Sequence, residues 1–186
     1  NGLTSQFEIK YFAPGIVVFS YSFITLFNGL LISMDRSSSF LIRLYSSPMK
    51  SWEFIFGYSI SMIPISLIQS ILFFGVASFL DSTFFSINLL LGIVVSLFIS
   101  TLFIGLGILF GSLCNEKSIG GISSIIIMCQ SILSGMWFPT NTMSKAIIKV
   151  MDILPFKAST SLLQNVCSGD FNNIFKYIIN IMIYIL

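Results

Sequence analysis

Hydrophobic residues in this chain form long uncharged blocks that are separated by short polar segments. The complete blocks are residues 11–34, 54–80, 87–113 and 118–138, and a further block, 174–186, which contains one charge at Lys176, runs to the last residue. Each complete block has at least the roughly 20 residues that an α-helix needs to cross the hydrocarbon core of a bilayer. The pattern predicts an all-α membrane protein with one domain over residues 1–186, a polytopic helical bundle with four complete spans and the start of a fifth.

The polar block between the first two spans, residues 35–53, carries five charged side chains, whereas the adjoining spans carry none. Asp35 or Ser37 can cap a helix start, and Pro48 disfavours the helical conformation of the residue before it, so a helix of about ten residues is expected. Its apolar side would be Phe40, Leu41, Leu44 and Tyr45, and its polar side Arg36, Ser39, Arg43 and Ser47. Such a helix lies along the membrane interface. Taken alone, the pattern also fits an ordinary polar loop.

The polar block after the fourth span, residues 139–173, contains two amphipathic segments at 143–154 and 159–167. The expected capping and stop residues are Asn141 or Thr142 and Pro155 for the first segment, and Gly169 for the second. The second segment has Leu162, Leu163 and Val166 on one face. Both are too short and too polar to span, so we predict a pair of helices that lie in or dip into one leaflet.

Three side-chain amides lie deep within the predicted spans, at Asn28, Gln69 and Gln130. Amides in this position form hydrogen bonds between helices or line a substrate path, and both interpretations stay open. Gly107 and Gly111 are one helical turn apart and predict a close helix contact. The end of the fourth span combines Gly135 with Trp137, Phe138 and Pro139, which is typical of an aromatic belt that closes a helix.

Composition narrows the chemistry that this chain can perform. The sequence is 55% hydrophobic and 9% charged, with a mean hydropathy of +0.97, against roughly 25% charged residues in soluble domains. It has no histidine, and its three cysteines, Cys114, Cys129 and Cys167, show no disulfide or metal-ligand spacing. A net charge of +2 without a basic run argues against a nucleic-acid partner. We therefore expect no catalytic residue, no metal and no cofactor bound by this chain.

The motifs resemble, in their order and spacing, those of type-2 ATP-binding-cassette permeases, the ABC-2 family. The loop elements that resemble the family's cytoplasmic coupling loop are Arg36, Phe40, Arg43-Leu44, Ser47-Pro48 and Gly57, with Ser38-Ser39 in place of the usual Gly-Thr. Phe12-Ala13-Pro14-Gly15 resembles the family's aromatic-x-Pro-Gly entry to a span. Residues 134–139 resemble the Ser-Gly-x-x-Phe-Pro end of its fifth span. The resemblance extends from residue 14 to residue 155.

The resemblance implies a permease of the multidrug- or daunorubicin-exporter type with about five of the family's six transmembrane helices, the second to the fifth and part of the sixth. It implies a cytoplasmic coupling helix within 35–53 and a re-entrant helical hairpin on the outer face within 139–173. The implied ATPase-coupling residues are Arg36, Ser39, Arg43, Leu44, Ser47 and Pro48. The implied residues of the translocation path or outer gate are Asn28, Gln69, Gln130, Gly135, Trp137, Phe138 and Pro139.

The implied function is export of a drug, lipid, peptide or glycan type of substrate, driven by ATP that a separate subunit hydrolyses. This chain lacks the glycine-rich, lysine-containing phosphate loop of an ATPase and is not expected to be an enzyme. The implied partners are an ABC ATPase that binds ATP and Mg, a second permease copy in a homodimer or heterodimer, and membrane lipids. The implied location is the plasma membrane of a bacterium, and the sequence is expected to be part of a longer chain.

Charge counting does not orient the bundle. In the family's orientation the inner basic residues are Arg36, Arg43, Lys50 and Lys117, and the outer ones are Lys10, Lys145, Lys149, Lys157 and Lys176. The positive-inside rule needs an inner excess, so the orientation rests on the resemblance. An alternative function is a membrane-embedded binding or immunity protein that docks a partner through the 35–53 block without transport. Co-purification of an ATPase separates the two.

Overall fold

A computed structural model describes residues 9–38, 46, 50–80, 87–137, 144–171 and 174–185. These residues form seven α-helices and contain no β-strand, which confirms the predicted all-α bundle. The helices are α1 (Ile9–Ser37), α2 (Ser51–Leu80), α3 (Ile87–Leu113), α4 (Glu116–Leu133), α5 (Lys145–Ile153), α6 (Pro155–Ser168) and α7 (Ile174–Ile185).

Three of the described helices, α1, α2 and α3, are long and apolar enough to cross a membrane. The predicted fourth span corresponds to α4, an 18-residue helix of about 27 Å, which ends at Leu133 rather than at residue 138. It ends early because Gly135 adopts a φ of 73°, a left-handed conformation that leaves the helix. The shorter apolar helix α7 corresponds to the start of the last span.

The end of α1 differs from the prediction. The helix continues past Met34 through Asp35 and Arg36 to Ser37, because no glycine or proline interrupts it there. The Asp35 carboxylate accepts a hydrogen bond from the Tyr58 hydroxyl of α2 at 2.5 Å, and the Ser37 hydroxyl donates to the Met34 carbonyl. The prediction that Asp35 or Ser37 starts a separate helix is therefore wrong.

The first of the two short helices has a different cap from the one predicted. Ser144 precedes α5, and its hydroxyl oxygen accepts a hydrogen bond from the Ile147 N–H at 3.5 Å. Asn141 and Thr142 lie outside the described residues, before this cap. Ser144 is better placed because its side chain directly precedes the first unsatisfied N–H groups of the helix.

The second short helix, α6, begins at Pro155 rather than at Ser159, because proline fits the first position of a helix. It ends, as predicted, at Gly169, which has a φ of 76°. Leu162 and Leu163 are fully buried and Val166 nearly so, so the face that these three residues share packs against the bundle. α6 is packed against both α1 and α3.

The centre of the described bundle is α1, which packs against α2, α3, α4 and α6. α3 lies directly on α1 because of its small residues. A Cβ added at Gly111 would lie 2.7 Å from the Gly29 carbonyl oxygen, and one at Gly107 would lie 2.9 Å from the Asn28 Cβ. The predicted close contact at Gly107 and Gly111 is confirmed.

Candidate coupling and gating sites

Arg36 sits in the last turn of α1 and reaches across to the turn between α3 and α4. Its Nη1 donates to the Ser112 carbonyl oxygen, and its Nη2 lies 3.1 Å from the Cys114 carbonyl oxygen and 3.3 Å from Asn115 Oδ1. The carboxyl end of a helix presents unsatisfied carbonyls with partial negative charge, so a guanidinium is stabilised there. Arg36 thus joins the end of α1 to the end of α3.

Two further hydrogen bonds hold the end of α1 in place. The Asp35 carboxylate accepts from Tyr58, which lies on α2, and the Ser37 hydroxyl donates to Glu116 Oε2 of α4 at 3.4 Å. Beside these contacts is a polar recess of about 460 Å³. Its lining is Ser33, Arg36, Ser37, Asn115, Glu116 and Lys117. The end of α1 is therefore bonded to three neighbouring helices.

The other predicted coupling residues, Ser39, Arg43, Leu44, Ser47 and Pro48, lie outside the described residues. Arg36 belongs to α1, and Ser38 already lies beyond the end of that helix. Arg36 is thus the one predicted coupling residue that the structure describes, and the polar face that it would share with Arg43 stays a prediction.

The opposite end of α4 packs on the start of α1. The Met136 side chain lies directly over Gly15, where an added Cβ would come within 2.6 Å of the Met136 Cγ. The Trp137 ring contacts the Phe12 ring edge-on, with ring centroids 5.6 Å apart. Gly135, with its positive φ, allows the chain to turn at this point. Phe138 and Pro139, the other predicted gate residues, lie outside the described residues.

The three predicted path amides lie on three different helices. Asn28 is fully buried, and its Nδ2 donates to the Ile104 carbonyl oxygen at 3.1 Å, so it lies between α1 and α3. Gln69 lies on α2, partly exposed, with its Oε1 buried and without a hydrogen-bond partner among the described residues. Gln130 is fully buried on α4.

A row of buried hydroxyl groups links α1, α2 and α3. The Tyr21 hydroxyl lies 2.5 Å from the Ser70 hydroxyl, which also accepts from Ser96 at 3.0 Å. One turn along, Ser100 donates to Ser66 at 3.1 Å. Each of these serine hydroxyls is fully buried, and each has a partner. We call these five residues the hydroxyl belt, and it fastens the first three helices to one another.

The contact between α1 and α4 is antiparallel. A Cβ at Gly29 would lie 3.0 Å from the Ile119 Cδ1, while Gly15 faces Met136 at the other end. Gly15, Ser22 and Gly29 are spaced by seven residues, which places all three on the side of α1 that faces α4. The buried residues of α4 are Ile119, Ser123, Ile126 and Gln130.

This contact contains buried polar groups without partners. Ser22, Ser123 and Gln130 are fully buried, with 0% of their surface accessible to solvent. The two hydroxyls and both polar atoms of the Gln130 amide have no partner among the described residues. We call these three residues the α1–α4 seam. The seam lies in the same bundle as the hydroxyl belt but lacks its hydrogen bonds.

Sequence reasoning identified Gln130 but not Ser22, Ser123 or the hydroxyl belt. The seven-residue spacing of Gly15, Ser22 and Gly29 was the available signal for the α1 side of the seam. No comparable signal distinguishes Ser66, Ser70, Ser96 and Ser100 from other serines in the spans, because their partners lie on different helices.

Nothing among the described residues forms a metal-binding group of three or more His, Cys, Asp or Glu side chains. Burial raises the pKa of the Cys167 thiol to about 12. This thiol lies against α3, where a Cβ at Gly92 would be 2.9 Å from its Sγ. Cys167 therefore remains protonated at neutral pH and is a packing residue rather than a nucleophile.

The long apolar helices, the buried polar contacts between them and the polar α3–α4 turn define a multi-pass membrane protein. The family model described as ABC-2 type transporter matches residues 2–167, and the chain belongs to that family. It is thus the membrane-embedded permease component of an ABC transporter and not the ATPase. No curated protein and no solved structure matches the chain.

Proposed function

We propose that this permease is the membrane subunit of an exporter in a bacterial plasma membrane. It would move a drug, lipid, peptide or glycan type of substrate out of the cytoplasm, using ATP and Mg bound by a separate ABC ATPase. Two permease copies, identical or different, would enclose the path. The Arg36 end of the bundle would face the cytoplasm, and the Gly135 end would face outward.

The observation that carries this proposal is the contrast between the hydroxyl belt and the α1–α4 seam. A buried polar group without a partner costs about 1 to 3 kcal/mol, so the seam is held less strongly than the belt. When the bundle changes conformation, α4 should separate from α1 while α1, α2 and α3 stay together. Separation would give Ser22, Ser123 and Gln130 access to water or substrate. These neutral donors and acceptors are suited to a path for a polar or amphipathic molecule.

The outer end of α4 has the features of a gate for this movement. Met136 and Trp137 cover the start of α1, and Gly135 allows the turn that places them there. Closure at this end, with opening along the seam, would give alternating access to the two sides of the membrane. This arrangement supports export along a path beside α4, because Gly135 follows the end of that helix.

Replacing Gly135 with valine is expected to impair export by distorting this gate. A β-branched residue at a φ of 73° is strained, with a cost of at least about 1 to 2 kcal/mol. We expect transport to fall several-fold while membrane insertion and ATPase binding are kept, as measured by substrate efflux and by co-purification. Gly121→Val is the matched control, because Gly121 lies within α4 with nothing within 4 Å of an added Cβ. Equal transport in both variants would remove the gate assignment.

Reversing the charge of Arg43 tests the proposed function as a whole. An ATPase groove that receives the 35–53 block would desolvate this arginine, and losing such a contact costs about 2 to 5 kcal/mol of binding. Arg43→Glu should abolish transport and substrate-stimulated ATP hydrolysis and weaken ATPase co-purification, without lowering the amount of permease in the membrane. The matched control is Lys50→Glu, a charge reversal in the same block.

The outcome of this test separates the two candidate functions. If Arg43→Glu transports at the normal rate with its ATPase attached, the 35–53 block is an interfacial loop and the coupling assignment is wrong. If the unmodified permease binds no ATPase and shows no ATP-dependent transport, the non-transporting binding or immunity protein is the better account.

A further inference from the structure

The guanidinium of Arg36 is directed into its own subunit rather than toward a partner. Both terminal nitrogens donate to the α3–α4 turn, to the carbonyls of Ser112 and Cys114 and to Asn115 Oδ1. A planar fork that spans several acceptors in this way is specific to arginine, since a lysine ammonium is a single point of charge. Arg36 is therefore well suited to hold two helix ends in a fixed relation.

The missing side-chain cap at the start of α4 is a second sign that this contact matters. Asparagine just before a helix normally caps it by accepting from an N–H of the first turn. Asn115 precedes α4 but makes no side-chain cap, and its Oδ1 accepts from Arg36 instead. The Asn115 side chain thus does not cap its own helix. Its Oδ1 accepts a hydrogen bond from Arg36 of α1, which lies 79 positions away in the chain.

The position of Arg36 in the chain connects this contact with the proposed ATPase-binding block. Arg36 lies one residue before the end of α1, where the proposed ATPase-binding block begins, and Asn115 lies one residue before the start of α4. Ser37 adds a bond from the same end of α1 to Glu116 of α4. A displacement of the loop by the ATPase would reach the base of α4 directly through these side chains. We define the latch as Arg36, Ser37, Asn115 and Glu116.

We infer that Arg36 is a positioning residue that transmits the movement of the coupling loop to α4, and that it is not an ATPase-binding residue. This inference rests on the proposed function and deepens it. The latch would keep the inner end of α4 against α1, so that the α1–α4 seam opens from the outer end with the latch as its pivot. ATP-driven movement of the loop would then change the surroundings of residues on α4.

The test uses the full permease purified with its ATPase and a native thiol on α4 as the reporter. Cys129 is half-buried and adjoins Gln130, so its rate of labelling by a maleimide reports movement along the seam. Cys114→Ser removes the neighbouring inner thiol, and Cys167 is buried with a pKa of about 12, which keeps it slow to react. The rate is compared with and without ATP and vanadate.

Arg36→Gln should keep the ATPase bound and hydrolysing ATP, while the ATP-dependent change in Cys129 labelling falls about tenfold, within the range that mutations of a coupling network produce. Lys117→Gln is the matched control, because it removes the same charge from the same recess and should leave the response unchanged. Asn115→Ala removes one of the latch acceptors and should give a smaller loss in the same direction. If Arg36→Gln does not accumulate in the membrane, Asn115→Ala tests the inference in its place.

Three results would overturn the inference. Loss of the ATPase from Arg36→Gln would show that Arg36 binds it, and an unchanged Cys129 response in both latch variants would show that movement takes another route. If the unmodified permease purifies without any ATPase, the proposed function fails, and the inference that rests on it fails for that separate reason.

Discussion

Gly111→Val is expected to destabilise the permease and to lower the amount of folded protein in the membrane. A Cβ at this position would lie 2.7 Å from the Gly29 carbonyl oxygen, 2.9 Å from the Ile32 Cβ and 3.0 Å from the Gly29 Cα, so the nearest atom is backbone. Backbone cannot rotate away, and α1 and α3 would have to move apart. Overpacking of a tight core typically costs about 1 to 3 kcal/mol, and separation would also lengthen the bonds of Thr25 and Asn28 to α3. Total stability is only about 5 to 15 kcal/mol.

The same helix offers a matched control for this prediction. Gly105 lies on α3 with nothing within 4 Å of an added Cβ, so Gly105→Val makes the same change of residue without a helix contact. The amount of monodisperse protein after detergent extraction, and its melting temperature, measure the difference. If both variants accumulate and melt alike, α1 and α3 do not depend on this close approach.

Replacing Gln130 with methionine should raise stability and lower transport at once. Methionine has nearly the volume of glutamine, and it removes two buried polar atoms that have no partner among the described residues. The melting temperature should rise, by an amount that corresponds to about 1 to 3 kcal/mol. With an apolar side chain at this position, the α1–α4 seam is more stable when closed and opens less readily. It also lacks the Gln130 amide that would contact the substrate, so efflux should fall several-fold.

An exposed serine on α4 provides the control for Gln130→Met. Ser124 is exposed, and its hydroxyl donates to the Gly120 carbonyl within α4, so Ser124→Ala should change neither quantity much. A lower melting temperature for Gln130→Met would mean that the amide has a stabilising partner. In that case the seam would not be the weak contact of the bundle.

Three of the predicted spans, α1, α2 and α3, were predictable from the sequence because a helix that crosses lipid needs a long uncharged segment. The contact at Gly107 and Gly111 was predictable for a similar reason, since a pair of small residues one turn apart is a local pattern. Both features depend on residues that are neighbours in the chain. Neither needs knowledge of the distant helix on the other side.

Several features that sequence reasoning missed depend on a distant partner. A polar boundary such as Met34–Ser37 can end one helix or start another. Here the bonds to Tyr58 and to the α3–α4 turn stabilise it as the end of α1. Ser22 and Ser20 look alike in the sequence. Ser20 donates to the Val17 carbonyl of its own helix, whereas Ser22 has no partner among the described residues. What distinguishes them is which neighbour each one faces.

The exposure of α2 has a consequence for how this permease responds to the surrounding bilayer. Most of α2 is not covered by the described bundle, and its apolar residues, such as Ile60, Leu72 and Val76, are exposed. Its 30 residues make a helix of about 45 Å, against a hydrocarbon core of about 30 Å. The helix must therefore tilt or extend into the headgroups, at a cost that varies with bilayer thickness. Because α2 shares the hydroxyl belt with α1 and α3, lipid chain length would act on the angle of the whole three-helix unit.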